Sequence, residues 1–133
     1  MQSFQPGQSK SLTRTFSQED IETFARLSGD DNPVHLNEEF AKNTPFQQRI
    51  AHGMLAASLF SALLGRHLPG DGTIYLGQNL SFKKPVFPGV PVTATVEILE
   101  IRSDKPIAKI KTSLTNSLGE VLIEGEAVVK LPV

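Results

Sequence analysis

The sequence predicts an α+β fold in which an antiparallel β-sheet wraps around one central apolar helix. Three observations carry this expectation. A strand-like run opens the chain, helical segments follow, and four long alternating runs fill the second half; helices followed by strands, rather than interleaved with them, indicate α+β. Residues 50–68, "IAHGMLAASLFSALLGRHL", hold no charged residue within 54–64 and show apolar or small side chains on every face, the pattern of a helix enclosed by protein. Turn signals at "FPGV", "SDKP" and "NSLGE" separate the later runs, so consecutive strands are expected to pair antiparallel.

Composition narrows the function. The 133 residues suit one compact core and are too few for two ordinary domains, so a single domain over 1–133 is expected. The formal charge is −1 with both signs scattered, which supplies no basic field to gather nucleic acid or an anionic membrane. Cysteine is absent, which removes disulfides, thiolate zinc sites and thiol nucleophiles. The opening "MQSFQPGQSK" lacks the apolar core of a secretory signal, so a cytoplasmic location is expected. The uncharged part of 50–68 contains His52 and ends at Arg66, short of the roughly 20 apolar residues that cross a bilayer.

Taken in order, "SKSLTRTFS" can form a short first strand. The helix "SQEDIETFARLSGD" follows, with Ser17 and Asp20 spaced as a capping box. Ile21, Phe24, Ala25 and Leu27 or Ser28 form its apolar stripe, and Gly29 ends it. Pro33 biases Asn32 away from the helical region, so "SGDDNPVHLN", residues 28–37, reads as a connection before the short helical piece "NEEFAKN". After the apolar helix and the loop "PGDG", Ile74, Leu76, Leu80 and Phe82 alternate. Val90, Val92, Ala94, Val96 and Ile98 do likewise. So do Ala108, Ile110, Thr112 and Leu114, opposite Lys109 and Lys111, and "EVLIEGEAVVKLPV" closes the chain. A sheet curved to cover an all-apolar helix describes a hot-dog fold.

Chemistry concentrates in two places. Asp30 and His35 stand five apart across an Asn-Pro turn, a spacing that can bring a carboxylate and an imidazole to one water, the first accepting a proton and the second orienting the water or returning a proton. The same residues also serve turns for local reasons, with an aspartate capping backbone N–H groups and His35 filling the turn. Gly53, in "AHGML", opens the apolar helix. Its N–H belongs to the unpaired, positive end of the helix and can hold a developing oxyanion. Equally, Gly53 can serve helix–sheet packing alone, with His52 a core histidine.

Together, "DDNPVH" and "AHGMLAASLFSALLG" resemble the MaoC-like dehydratases, and more closely the short (R)-specific enoyl-CoA hydratases of the PhaJ type. Their pattern is Asp-x-Asn-Pro-x-His followed by His-Gly-Met at the start of the hot-dog helix. The likeness continues through "LPGDGTIYLGQNLSFKKPVFPG", "SDKPIA" and "GEAVVKLP", so it covers nearly the whole chain.

The resemblance implies a residue assignment. Counting back from His35 places the catalytic carboxylate at Asp30 and leaves Asp31 at the variable position, expected to point to solvent. Asn32 braces the turn. The implied reaction is reversible hydration of trans-2-enoyl-CoA to (R)-3-hydroxyacyl-CoA, with Asp30 and His35 holding the water and the Gly53 N–H receiving the thioester oxygen. No metal or redox cofactor is implied, and CoA is part of the substrate. Ser58, Ser61 and Leu64 lie about three residues apart on the helix and can line an acyl tunnel; the serines can equally bond back to helix carbonyls. Arg49, Lys83 and Lys84 can meet CoA phosphates, although charged faces are common on any surface. A homodimer is expected, since one short domain leaves a strand edge and one side of the pocket open. The supply of polyhydroxyalkanoate monomers is one role open to such an enzyme. Hot-dog proteins also include acyl-CoA thioesterases and noncatalytic modules; a thioesterase would direct water at the carbonyl, and a module would have no need of the Asp30–His35 pair.

Overall fold

The computed structural model describes residues 3–133, so the first two residues of the expected domain lie outside the described part. The elements are β1 (Ser9–Arg14), α1 (Gln18–Ser28), α2 (Pro33–Leu36), α3 (Glu38–Lys42), α4 (Gly53–Arg66), β2 (Ile74–Phe82), β3 (Val92–Ile101), β4 (Ile107–Asn116) and β5 (Val121–Lys130). They form one antiparallel five-stranded sheet in the order β1-β3-β4-β5-β2, with α4 against its inner face, touching β1, β2 and β3. The helix-in-sheet arrangement is that of a hot-dog fold.

Side-chain alternation explains the core. Val92, Ala94, Val96 and Ile98 of β3 and Ala108, Ile110 and Leu114 of β4 point inward and are fully or almost fully buried. Phe60, Leu63 and Leu64 of α4 meet them in one cluster that also takes in Ile123, Ala127 and Val129 of β5. Each of the Val, Ile, Leu and Phe side chains among them contributes roughly 1.5–3 kcal/mol by its burial. Thr112, inward on β4 and fully buried, is the polar exception, and its hydroxyl accepts from Gln78 Nε2 at 2.9 Å.

Three sequence-based expectations need correction. Pairing follows sequence for β3-β4 and β4-β5 but not for β2, which crosses to pair with β5, while β1 pairs with β3. With α4 seated over the sheet, β2 lands on the far edge. There its alternation breaks: a bulge between Tyr75 and Gly77 shifts the register, and Ile74, Leu76 and Phe82 are about half exposed. Finally, α4 is not enclosed all round. Met54, Ser58 and Ser61 are exposed, because one chain's sheet covers only the opposite side of the helix.

Candidate active site

The site is assembled where the α1–α2 turn meets the start of α4. Ser17 and Asp20 form the capping box that starts α1, while Ile21 and Ala25 bury one face and Leu27 stays exposed. Gly29 ends the helix in the left-handed region (φ 81°), its N–H donating to Ala25 O; a residue without Cβ takes this conformation without strain. The chain then turns tightly. The Asp30 N–H donates to Ser28 Oγ at 3.1 Å, and the Asn32 N–H donates to Asp30 Oδ1 at 3.3 Å.

His35 is not on an irregular connection, as its place in the sequence suggested, but on a one-turn helix. Asn32 caps that helix by accepting from the Val34 N–H at 3.1 Å, and Pro33, whose fixed φ suits a first helical position, begins it. This turn carries His35 inward, where it is 8% exposed. Its Nδ1 lies 2.8 Å from Ile50 O. A carbonyl only accepts, so Nδ1 carries the hydrogen and, in the neutral ring, Nε2 is left as the acceptor. Burial holds the His35 pKa below its usual value, the neighbouring His52 acts in the same direction, and the bond to Ile50 and the charge of Asp30 oppose it.

From the sequence, His52 reads as a core histidine or as the first residue of the His-Gly-Met stretch. It is in fact the third member of the cluster: one donor atom each from Asp30, His35 and His52 lie within 4.8 Å of one another. Its Nε2 is 2.9 Å from Asp30 O, and its ring stacks on that of His35 with centroids 3.8 Å apart. Imidazole lone pairs lie in the ring plane, so the two stacked rings are poorly set to aim at one ion. The only sequence signal for His52 was its position beside Gly53.

Gly53 begins α4. The first bond of the helix runs from the Ala56 N–H to His52 O, and no side chain caps the N-terminus, which leaves the Gly53 N–H open to a ligand oxygen. A Cβ here would lie 2.5 Å from the ring of Phe82, so close packing also demands glycine. Gly53 and Phe82 line a cavity of about 220 Å³ with Lys83 and Lys84. Lys83 pairs with Glu124 at 3.3 Å and Lys84 with Glu120, while Arg49 is half-buried and donates to Leu36 O at 3.5 Å.

A larger cavity of about 470 Å³ lies between α4 and β2, walled by Met54, Ala57, Ser58, Phe60, Ser61, Tyr75, Leu76, Gly77, Gln78 and Leu80. Ser58 and Ser61 thus face one space, although the Ser58 hydroxyl also donates back to Leu55 O at 2.5 Å. Leu64 does not join them: it is 1% exposed and belongs to the core cluster, because the α4 face it occupies looks toward the sheet. Asp31 is exposed, apart from the cluster.

Known proteins share this fold and sequence. The chain is 53% identical over 131 residues to the (R)-specific enoyl-CoA hydratase of Aeromonas caviae, covering 98% of both chains. It is 51% identical over 126 residues to the (R)-specific enoyl-CoA hydratase of Rhodospirillum rubrum, covering 95% of this chain and 87% of that one. The solved structure of the A. caviae (R)-hydratase involved in PHA biosynthesis superposes with a TM-score of 0.96, covering 99% of this chain and 100% of that chain. With the MaoC-like domain matched over residues 3–119, the chain belongs to the MaoC-like family.

Proposed function

We propose that this protein is an (R)-specific enoyl-CoA hydratase, adding water reversibly to trans-2-enoyl-CoA. The observation that carries the reading is the convergence of the exposed Asp30 carboxylate, the buried His35 and the uncapped start of α4, in a chain about half identical to two such hydratases over nearly full length.

The chemistry follows from these groups. A water held between Asp30 and His35 Nε2 gives a proton to the pair as its oxygen bonds to C3. The C2–C3 π electrons move toward the thioester, and the negative charge that grows on its oxygen is received by the Gly53 N–H. A proton then returns from the pair to C2 on the same face, which closes the balance with no metal or redox cofactor. Backbone donors of this kind contribute about 2.7–4 kcal/mol to such a step. Lys83 and Lys84, which line the same cavity as Gly53, are the cations this reading offers to the CoA phosphates, in competition with their pairing to Glu124 and Glu120, and the cavity bearing Ser58 and Ser61 suits an acyl chain.

The acting unit is a homodimer. The edge strand β2 exposes Ile74, Tyr75, Leu76 and Phe82, and Tyr75 and Leu76 share one cavity wall with the exposed Met54 of α4, apolar surface of the kind that soluble proteins cover. Among the described residues no helix is long and apolar enough to cross a membrane. In this reading the product can serve as a polyhydroxyalkanoate monomer. The test is to supply crotonyl-CoA and follow enoyl absorbance and free thiol separately. Loss of absorbance without thiol is the expected result. Release of thiol would make the protein a thioesterase, and no reaction with binding retained, across longer acyl chains as well, would make it a binding module.

A further inference from the structure

His52 has no acid–base task in this scheme, yet it is 2% exposed and touches both members of the catalytic pair. Its Nδ1 is buried with no hydrogen-bond partner among the described residues. A side chain kept only to fill space would not carry that cost, since phenylalanine or leucine could occupy the same volume with no unpaired nitrogen. The cost points to work done by the other nitrogen.

That nitrogen joins two segments that are separate in sequence. Within its own turn Asp30 is held by short-range bonds, to Ser28 and from Asn32, and it follows a left-handed glycine. These fix the shape of the turn but not its distance from α4. Two imidazoles supply the distance from opposite sides. His35 on the turn donates to Ile50 O at 2.8 Å, and His52 at the start of α4 donates back to Asp30 O at 2.9 Å. The Ile50 N–H adds a weaker link to Val34 O at 3.3 Å. The two rings then lock together by stacking, with Phe24 of α1 in tilted contact with His52 at 4.7 Å. Gly53 is the next residue after His52, its Cα only about 3.8 Å further along the chain. Of these links, the His52 bond is the one that ties Asp30 directly to the residue before the N–H that receives the thioester oxygen.

We propose that His52 is a positioning residue for the hydration: its Nε2–H, by holding the Asp30 carbonyl, registers the Asp30–His35 pair against the Gly53 N–H. The proposal rests on the hydratase reading. It concerns the alignment of reacting atoms and not the grip on CoA, so its loss should appear in kcat and leave KM nearly unchanged.

The two nitrogens of histidine can be replaced one at a time. In His52→Gln the amide nitrogen can occupy the place of Nε2 and keep the bond to Asp30 O, while the ring is lost. His52→Phe keeps a ring and loses the donor. Positioning requires the glutamine variant to retain most of the activity and the phenylalanine variant to lose about 10- to 100-fold in kcat, since a misplacement near 1 Å costs on the order of 100-fold. Steady-state kcat and KM with crotonyl-CoA, beside thermal unfolding of each variant, decide it. A packing role gives the reverse order, with Phe more active than Gln, and that order would overturn the proposal, as would an effect confined to KM. Should His52→Phe not fold, His52→Asn, whose amide reaches only the Nδ1 position, replaces it with the same expected loss. A wild-type protein that does not hydrate crotonyl-CoA removes the hydratase reading itself; an active wild type with equal Gln and Phe variants removes the positioning role alone.

Discussion

Replacing Asp30 by Asn takes away a charge and a proton acceptor and leaves nearly everything else in place. The side chain is exposed, and its one hydrogen bond, accepted from the Asn32 N–H at 3.3 Å, remains available to the amide oxygen. The contact to His52 uses the main-chain carbonyl and does not depend on the side chain. The cost to stability is therefore bounded by one weak, solvated hydrogen bond, under about 1 kcal/mol. The cost to catalysis is that of a lost general base, about 10²- to 10⁴-fold in kcat, or about 2.7–5.4 kcal/mol. Initial rates of enoyl absorbance loss with crotonyl-CoA, together with urea unfolding, measure the two quantities independently. Asp31→Asn is the control: that side chain is exposed, and its expected rate is within about twofold of wild type, as for a surface change away from any special feature. Equal losses at Asp30 and Asp31, or an active Asp30→Asn, would refute the assignment of the two aspartates.

Four further outcomes are expected. His35 works as an acceptor only when neutral, and burial holds its pKa below the ordinary 6.5, so kcat/KM should stay level as pH falls through 6.5 and decline only at lower pH; a decline centred at or above that value contradicts the environment described. The same shift makes the unfolded chain bind the proton first, so stability from this group is full above about pH 6.5 and is lost as pH falls toward the folded pKa, which urea midpoints across that range can follow. Phe60→Ala, at a fully buried position on α4, should cost about 3–5 kcal/mol, and a loss below about 1 kcal/mol would mean that α4 is not the centre of the core. Leu76→Lys puts a charge on the exposed bulge of the edge strand; burying it unpaired in a dimer costs several kcal/mol, so sedimentation should show a monomer with little activity, whereas an unchanged dimer would move the interface off β2.

What could be read from the sequence was whatever depends on local spacing. The alternation of Val92, Ala94, Val96 and Ile98, and of Ala108, Ile110, Thr112 and Leu114, marked the inward faces of β3 and β4 because side chains on a strand alternate whatever its neighbours. Ser17, Asp20 and Gly29 marked the ends of α1 for the same local reason. Which strand pairs with which depends on contacts far apart in sequence, and β2 accordingly ended beside β5 and not β3. The enclosed look of α4 misled because hydropathy does not separate a face covered by its own sheet from one facing an open cavity, which is where Met54, Ser58 and Ser61 lie. Leu64 fell on the other side, since spacing of three along a helix drifts around its axis. His52 was missed as a member of the site for a similar reason: its bond to Asp30 spans 22 residues, and no periodicity announces such a link.

In this mechanism one acid–base pair delivers both parts of water to one face of the substrate. The most direct measurement is the stereochemistry of hydration: crotonyl-CoA converted in D2O, with the configuration at C3 and the position of deuterium at C2 read by NMR. An (R) centre at C3 with deuterium added to the same face is the expected product. Deuterium on the opposite face would contradict a single Asp30–His35 pair acting at both carbons, and an (S) or racemic centre at C3 would contradict the (R)-specific assignment.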